Sequence, residues 1–479
     1  VELKGSRETR KFFFGTILLW ASGGLDRGST SQAHPHHNDQ MNDDDRSCVY
    51  GLRHQHARCL TAVPAASENN KFLVGTLGPK RDNAVCLLDF DEDAFEIGST
   101  DFRHPDEVWD ITSCPKKEEL FFTCHSAVTN GTNKLKATLW RMGSSAEEKD
   151  NRVTNSGVRN DGREGAGLQL QKAFTLAADK VKKVLWEPRG SMSQVVSMDD
   201  TSLRIWSLND SLNGAQLSTS IAVPITGDDP TTYLTNAVWN PHAAEIVTVN
   251  EGCLSGWDLR SQKQTFSIPS AHASTIRALD YNPNKPHSVV TGGDDGRIRF
   301  WDMRNGGKQA VKVLSDHTHW IWSVAFNRFH DQLVLSSSSD NLVNLQSVVS
   351  ISSAAFDAYE DNGDEEGEDQ QSEGMVSNLP VLSLRFFDIS IVRITPLEVR
   401  CCVIFSITFP QHHIFTHRSS PHHRIPTDGL VHTYDQHEDS VYAVAWSHAD
   451  IWTFASLSYD GRVVVNRVPR DEKFRILGV

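Results

Sequence analysis

The chain has 479 residues, length enough for roughly two or three average domains, with 38% apolar and 23% charged residues. A formal net charge of −14 offers no basic face to lie along a nucleic-acid backbone, which speaks against a nucleic-acid binder. The eight cysteines have no framework spacing, no CxxC pair exists, and Cys401 and Cys402 are adjacent; this fits a reducing compartment, not a disulfide scaffold, and offers no zinc site.

The first forty residues hold a basic start, an apolar run from Phe12 to Ala21 and small residues after it, the outline of a secretory signal. Met41 is the first methionine and NDDDRSCVYGL follows it directly, so residues 1–40 are expected to be an upstream extension preceding the natural start of a cytosolic protein. Residues 57–96 then carry two strand-like runs, KFLVGT and AVCLLDF, separated by a turn rich in Gly, Pro and Asn.

Further on, stretches superimpose at fixed offsets. From His272, His317 and His437, a β-branched residue stands four positions on (Ile276, Ile321, Val441) and an aromatic nine on (Tyr281, Phe326, Trp446). A hydroxyl follows at nineteen (Thr291, Ser336, Ser456), an aspartate at twenty-three (Asp295, Asp340, Asp460), and Trp301, Gln346 and Asn466 at twenty-nine. Weaker copies stay in register. His104, Val108 and Trp140 form one, stretched by Asn130, Gly131 and Asn133 into an expected long hairpin. Val181, Trp186, Asp200 and Trp206 form another, with Ala177 where the His should stand, and Trp239 with Trp257-Asp258 forms a third. A period near 45 residues with His early and Trp-Asp late is the signature of WD40 repeats, four strands to a propeller blade. With residues 57–96 this makes seven units, and the predicted fold is an all-β, seven-bladed WD40 β-propeller.

In WD-repeat proteins the His, hydroxyl, Asp and Trp indole satisfy one another as a buried network. The copy with His272, Thr291, Asp295 and Trp301 has all four and is the predicted structural tetrad. A Ser/His/Asp set can suggest a hydrolase, but a set that recurs along the chain belongs to the turn framework and not to one exposed nucleophile. No GxxxxGK loop and no HExxH occurs, and GREGAG (162–167) follows no strand and reads as a flexible loop between blades. The chain is expected not to be an enzyme, and no catalytic residue, cofactor, metal or small-molecule substrate is expected.

The last two copies lie 120 residues apart, and residues 357–373 hold nine Asp or Glu without a Lys or Arg, a composition that stays solvated. The expected organisation is propeller blades one to six over 49–355, an acidic disordered loop over 356–375, an unspliced or disordered insertion over 376–430, and the last blade with ring closure over 431–479. Within the insertion, charged residues such as Arg385, Asp388 and Arg393 break any run long enough to cross a bilayer, so no membrane insertion is expected. Its histidines (His412, His413, His417, His422, His423) lack an acidic or Cys companion, which argues against a metal site.

Residues just past each His should reach the rim of the top face. Five positions on stand Trp109, Arg277, Trp322 and Tyr442, large and chemically different at one offset, with Trp320 beside them. Aromatic and Arg side chains ringed by polar ones have the composition of interface hot spots, and these five are the partner-binding candidates. The rival surface is the pair WDLR (257–260) and WDMR (301–304), which resembles the Trp-Asp-x-Arg boxes of substrate receptors for cullin-RING ubiquitin ligases; there Arg260 and Arg304 would contact the ligase adaptor.

One further resemblance is more specific. WEP (186–188), AHASTIRALDYNPNKP, GGDDGRIRFWDMRN, HTHWIWSVAFNRFHDQLVLSSSSD, VVSISS and HEDSVYAVAWSHADIWTFASLSYDGRVVVNRVPR are similar to the family of WD-repeat proteins that interact with the endosome-associated recycling (EARP) and Golgi-associated retrograde (GARP) tethering complexes. The resemblance runs over about 49–355 and 431–470. It implies a non-enzymatic scaffold or adaptor whose partners are protein subunits of a vesicle tether. Such a protein would be cytoplasmic, be recruited to the trans-Golgi network and endosomes, and serve endosomal recycling and retrograde or dense-core vesicle traffic.

Overall fold

The structure, a computed structural model, describes residues 46–478 apart from 53–55, 79–82, 130–131, 144–167, 191, 225–232, 306–308 and 354–426. Residues 1–40, the acidic stretch, the insertion up to residue 426 with its histidines, and GREGAG therefore lie outside the described residues.

The described strands arrange as seven blades of four antiparallel strands each, the first two of which are joined at their outer edges by a short parallel pairing, Phe102↔Leu168 and Arg103↔Gln169. Strand β1 (Cys48–Gly51) comes first in the chain but belongs to the last blade. Blade one is β2 (Ala57–Ala62), β3 (Asn70–Thr76), β4 (Asn83–Asp91) and β5 (Glu96–His104); blade two is β6 (Glu107–Ser113), β7 (Leu120–Thr129), β8 (Thr132–Met142) and β9 (Leu168–Thr175). Blade three is β10 (Lys183–Trp186), β11 (Gln194–Met198), β12 (Ser202–Leu208) and β13 (Ala215–Ala222); blade four is β14 (Leu234–Trp239), β15 (Glu245–Asn250), β16 (Cys253–Asp258) and β17 (Lys263–Ile268). Blade five is β18 (Ile276–Tyr281), β19 (Ser288–Gly293), β20 (Ile298–Asp302) and β21 (Lys312–Leu314); blade six is β22 (Ile321–Phe326), β23 (Leu333–Ser338), β24 (Val343–Ser347) and β25 (Gly429–Tyr434). Blade seven is β26 (Val441–Trp446), β27 (Thr453–Ser458) and β28 (Arg462–Arg467), completed by β1, and the helix α1 (Arg470–Leu477) follows.

The second strand of a blade is sandwiched between its neighbours, which is why β23 and β27 are buried at every position and read as unbroken runs of small or apolar residues. Side chains from facing blades form one apolar cluster per seam. Val290, Ile298 and Phe300 of blade five meet Ile321, Val324 and Phe326 of blade six; Cys48, Leu52 and Val463 of blade seven meet Phe72, Phe90 and Ile97 of blade one. The seams are tight. A Cβ on Gly292 would come within 2.6 Å of Ile321 Cγ2, so only glycine lets these two blades approach.

In blades five, six and seven the chain reverses between the second and third strands in a turn that needs a left-handed residue. Gly296, Asn341 and Gly461 supply it at φ 68°, 69° and 83°, each just after the repeat aspartate. In blade two the expected long hairpin is β7 and β8, paired up to Thr129 and Thr132.

Ring closure is made by β1, which pairs with β28 from Cys48↔Val465 to Gly51↔Arg462. This shifts the blade boundaries read from the sequence. Residues 48–51 complete the seventh blade and not the first, and β25 starts at Gly429, where it pairs with β24 as the outer strand of blade six. The GREGAG stretch is also placed differently from the expectation, because β8 and β9 on either side of it are neighbours in one blade. The connection is thus within a blade and not between blades. No helix among the described residues is long and apolar enough to cross a membrane.

Candidate functional site

Six inner strands share one irregularity. Near the top of each, the register with the second strand skips a residue: Ala57 and Cys59 pair but Arg58 does not, and Trp109, Thr235, Arg277, Trp322 and Tyr442 are left out in the same way. A β-bulge takes its extra residue out of the in-out alternation and re-aims its side chain. Lys182 holds the matching place in blade three, one residue past Val181. The six bulges thus deliver one side chain from each of six blades to the top of the ring, and Lys182 stands in the same place in the remaining blade.

Blades five, six, seven, one and two are consecutive around the closed ring, and their bulged residues join. Arg277 lies 4.6 Å from the Trp322 ring centre and 5.1 Å from that of Trp320. Trp320 and Trp322 meet edge to face at 6.1 Å, and Trp322 packs on Tyr442 at 4.4 Å. Arg58 then sits over Tyr442 at 4.5 Å, Trp322 at 5.4 Å and Trp109 at 5.7 Å. Each cation–π contact contributes about 0.5–2 kcal/mol according to its exposure. All five candidates named from the sequence fall in this one patch. Trp109 and Trp320 remain 41% and 42% exposed, large for indoles, whereas Arg277, Trp322 and Tyr442 are half-buried.

The patch also contains residues that the repeat offsets did not single out. Arg58 is the largest omission, and His56 stacks on Tyr459 at 4.5 Å, with Tyr459 in turn 5.6 Å from Tyr442. Lys182 was within reach, since it stands five residues after Ala177, the position of the missing His. Its ammonium lies 4.0 Å from the Tyr233 ring centre and 2.6 Å from Asp200.

Beneath the rim the tetrad is assembled. His272 Nδ1 lies 3.0 Å from Asp295, its Nε2 2.8 Å from Thr291 Oγ1, and the Trp301 indole donates to the same hydroxyl at 2.9 Å. His317 repeats the arrangement with Asp340 at 3.0 Å and Ser336 at 2.9 Å. In the last blade His437 is bonded to Ser458 and Ser456, and Ser458 hands on to Asp460. Burial pushes the His437 imidazole down to about 4, so it is neutral at physiological pH. Ser456 is wholly buried, as Thr291 and Ser336 are, so these hydroxyls offer a substrate no approach.

One carboxylate near the rim is strained electrostatically. Burial raises Asp110 from 3.8 to about 6, against the opposing pull of Lys183, and its Oδ2 is out of water with no partner among the described groups. An acid whose folded pKa is raised holds its proton longer folded than unfolded, so stability falls as pH rises from about 4 through 6. Asp110→Asn should therefore raise the melting temperature at pH 7.5, by at most about 3 kcal/mol of stability. Melting curves from pH 4 to 8 should show that advantage shrinking below pH 6 and vanishing near pH 4; a constant difference would mean that the charge is not the cause.

Arg260 and Arg304 are elsewhere. They follow Asp258 and Asp302, whose partners Glu245 and Ser288 open the second strands, at the end of the blade opposite the bulges. The Arg304 guanidinium is already held by Asp302 at 2.6 Å, while the Arg260 backbone N–H donates to Asp258 at 2.7 Å. The two surfaces can accordingly be tested separately.

Comparison with known proteins agrees with this architecture. The family model described as EIPR1 beta-propeller matches residues 44–346, and that of the WD domain, G-beta repeat, matches 429–465. The chain is similar to the EARP-interacting protein homolog of Gekko japonicus, 36% identical over 439 residues that span 91% of this chain and 100% of the relative. It is 35% identical over 442 residues to EARP and GARP complex-interacting protein 1 of Homo sapiens, with the same coverage, and 30% identical over 428 residues to EARP-interacting protein 1 of Caenorhabditis elegans, spanning 88% and 96% of the two chains. On the strength of its repeats, its seven blades and these matches, the chain belongs to the EARP-interacting family of WD-repeat β-propellers.

Proposed function

We propose that the protein is a non-enzymatic adaptor that holds a subunit of an EARP- or GARP-type tethering complex on its top face. It would act in the cytoplasm at the trans-Golgi network and endosomes, in endosomal recycling and retrograde or dense-core vesicle traffic. The observation that carries this reading is the continuous patch of Arg58, Trp109, Arg277, Trp320, Trp322 and Tyr442, built by bulges from five adjacent blades. Large aromatics and arginines gathered at one rim are what interface hot spots are made of, and the relatives are named for their interaction with these complexes. Trp322→Ala combined with Tyr442→Ala should weaken capture of the purified tethering complex by about thirtyfold to a thousandfold, with each large aromatic contributing on the order of 1–2 kcal/mol. Retention of full binding by a variant that melts like the parent would move the interface to another face.

A further inference from the structure

In blades one, five, six and seven the residue one place past the end of the second strand (Leu77, Asp294, Ser339, Tyr459) is bonded through its backbone N–H to the residue two places before the bulged one, which sets it beside the bulge. In blade five that residue is Asp294, and its carboxylate is bonded by the Arg277 guanidinium, with Nη2 at 2.8 Å. In blade three Lys182 meets a carboxylate one place farther along the turn, Asp200 at 2.6 Å, and in blade six Ser339 accepts the Trp322 indole N–H at 2.6 Å. In blade one, where Ala57 pairs with Thr76, the equivalent residue is Leu77. At that place blade one thus carries an apolar residue where blade five carries the carboxylate that Arg277 binds.

Arg58 is half-buried among the rings of Tyr442, Trp322 and Trp109, and among the described residues none gives it a hydrogen bond or a carboxylate. The π faces hold the guanidinium flat and partly desolvated, but they leave its fork of N–H donors unused. A cation in that setting gains most from one planar anion that engages the fork edge-on.

We propose that Arg58 is the receptor for an aspartate or glutamate side chain of the partner, flanked by a bulky apolar residue that packs on Trp109 or Trp322. The partner carboxylate does in trans what Asp294 does for Arg277 in cis. The inference rests on the top-face reading and adds the chemistry of what is bound there. The net charge of −14 sharpens it, because an acidic segment is repelled by the chain as a whole and is accepted only in the register that sets its carboxylate on Arg58.

The test supplies the missing cis carboxylate. Leu77→Asp should neutralise Arg58 internally, as in blade five, and leave the aromatic surface in place. Binding of the purified tethering complex to the full chain should fall about tenfold or more and lose part of its salt dependence. Leu77→Asn, similar in shape to the Asp variant but uncharged, should bind like the parent, and Arg58→Gln should lose binding as Leu77→Asp does. Melting curves check that each variant folds. If Leu77→Asp and Arg58→Gln bind like the parent while Trp322→Ala with Tyr442→Ala does not, the carboxylate proposal is overturned and the top-face reading stands. If all of them bind like the parent, both fall.

Discussion

Deletion of residues 1–52 should abolish the single cooperative melting of the propeller. The deletion removes β1, with its four ladder pairs to β28, and the hydrogen bond from the Leu52 N–H to Gly461 O at 2.8 Å. It also takes Cys48 and Leu52 out of the seam between blades seven and one, which Phe72, Phe90 and Val463 share. The loss is on the order of 5 kcal/mol, comparable with the whole margin of about 5–15 kcal/mol of a typical folded domain. The strand edge left on β28 is also a template for pairing with a second chain. Thermal unfolding followed by circular dichroism, together with light scattering, should show a broad, early transition and association. Deletion of residues 1–41 alone should leave the melting curve unchanged, and an equally severe effect of the shorter deletion would sink the closure argument.

The second large effect is expected at a single hydroxyl. Thr291 is wholly buried and meets His272 Nε2 and the Trp301 indole together. Thr291→Val keeps the shape and strands two polar groups out of water, each at about 1–3 kcal/mol, so the variant should lose about 2–6 kcal/mol in chemical denaturation. Ser337 gives the contrast within the same fold. Its Oγ is buried and has no partner among the described residues, so Ser337→Ala should be neutral or slightly stabilising. Equal losses at both positions would mean that packing, and not the hydrogen-bond network, sets the cost.

Much of this was legible in the sequence because the fold repeats a physical requirement. In blades five, six and seven the tight turn takes its aspartate and left-handed residue, every seam needs its β-branched and aromatic side chains, and these recur at fixed spacing. Trp109, Arg277, Trp322 and Tyr442 could be aligned because each stands five residues after a His that is itself fixed by burial. Arg58 could not, since Arg53 occupies the place of that His and blade one offers no anchor for the count. Ring closure was hidden for a different reason. Strand β1 is only four residues long and its register is set entirely by β28, at the far end of the chain. Likewise β25 is separated from β24 by residues 348–428, so nothing local marks Gly429 and Leu430 as part of blade six.

The bulge also bears on how such a surface can change over time. A side chain inside a ladder is tied to the volume of the seam it fills, and any exchange there must be matched by a neighbour. The bulged residue stands outside that bargain: arginine, tryptophan, threonine and tyrosine occupy the same place in different blades without altering the strands around them. The propeller thus carries a set of slots around one rim that answer to one another but not to the seams, in which recognition can be rewritten while the scaffold that displays it stays the same.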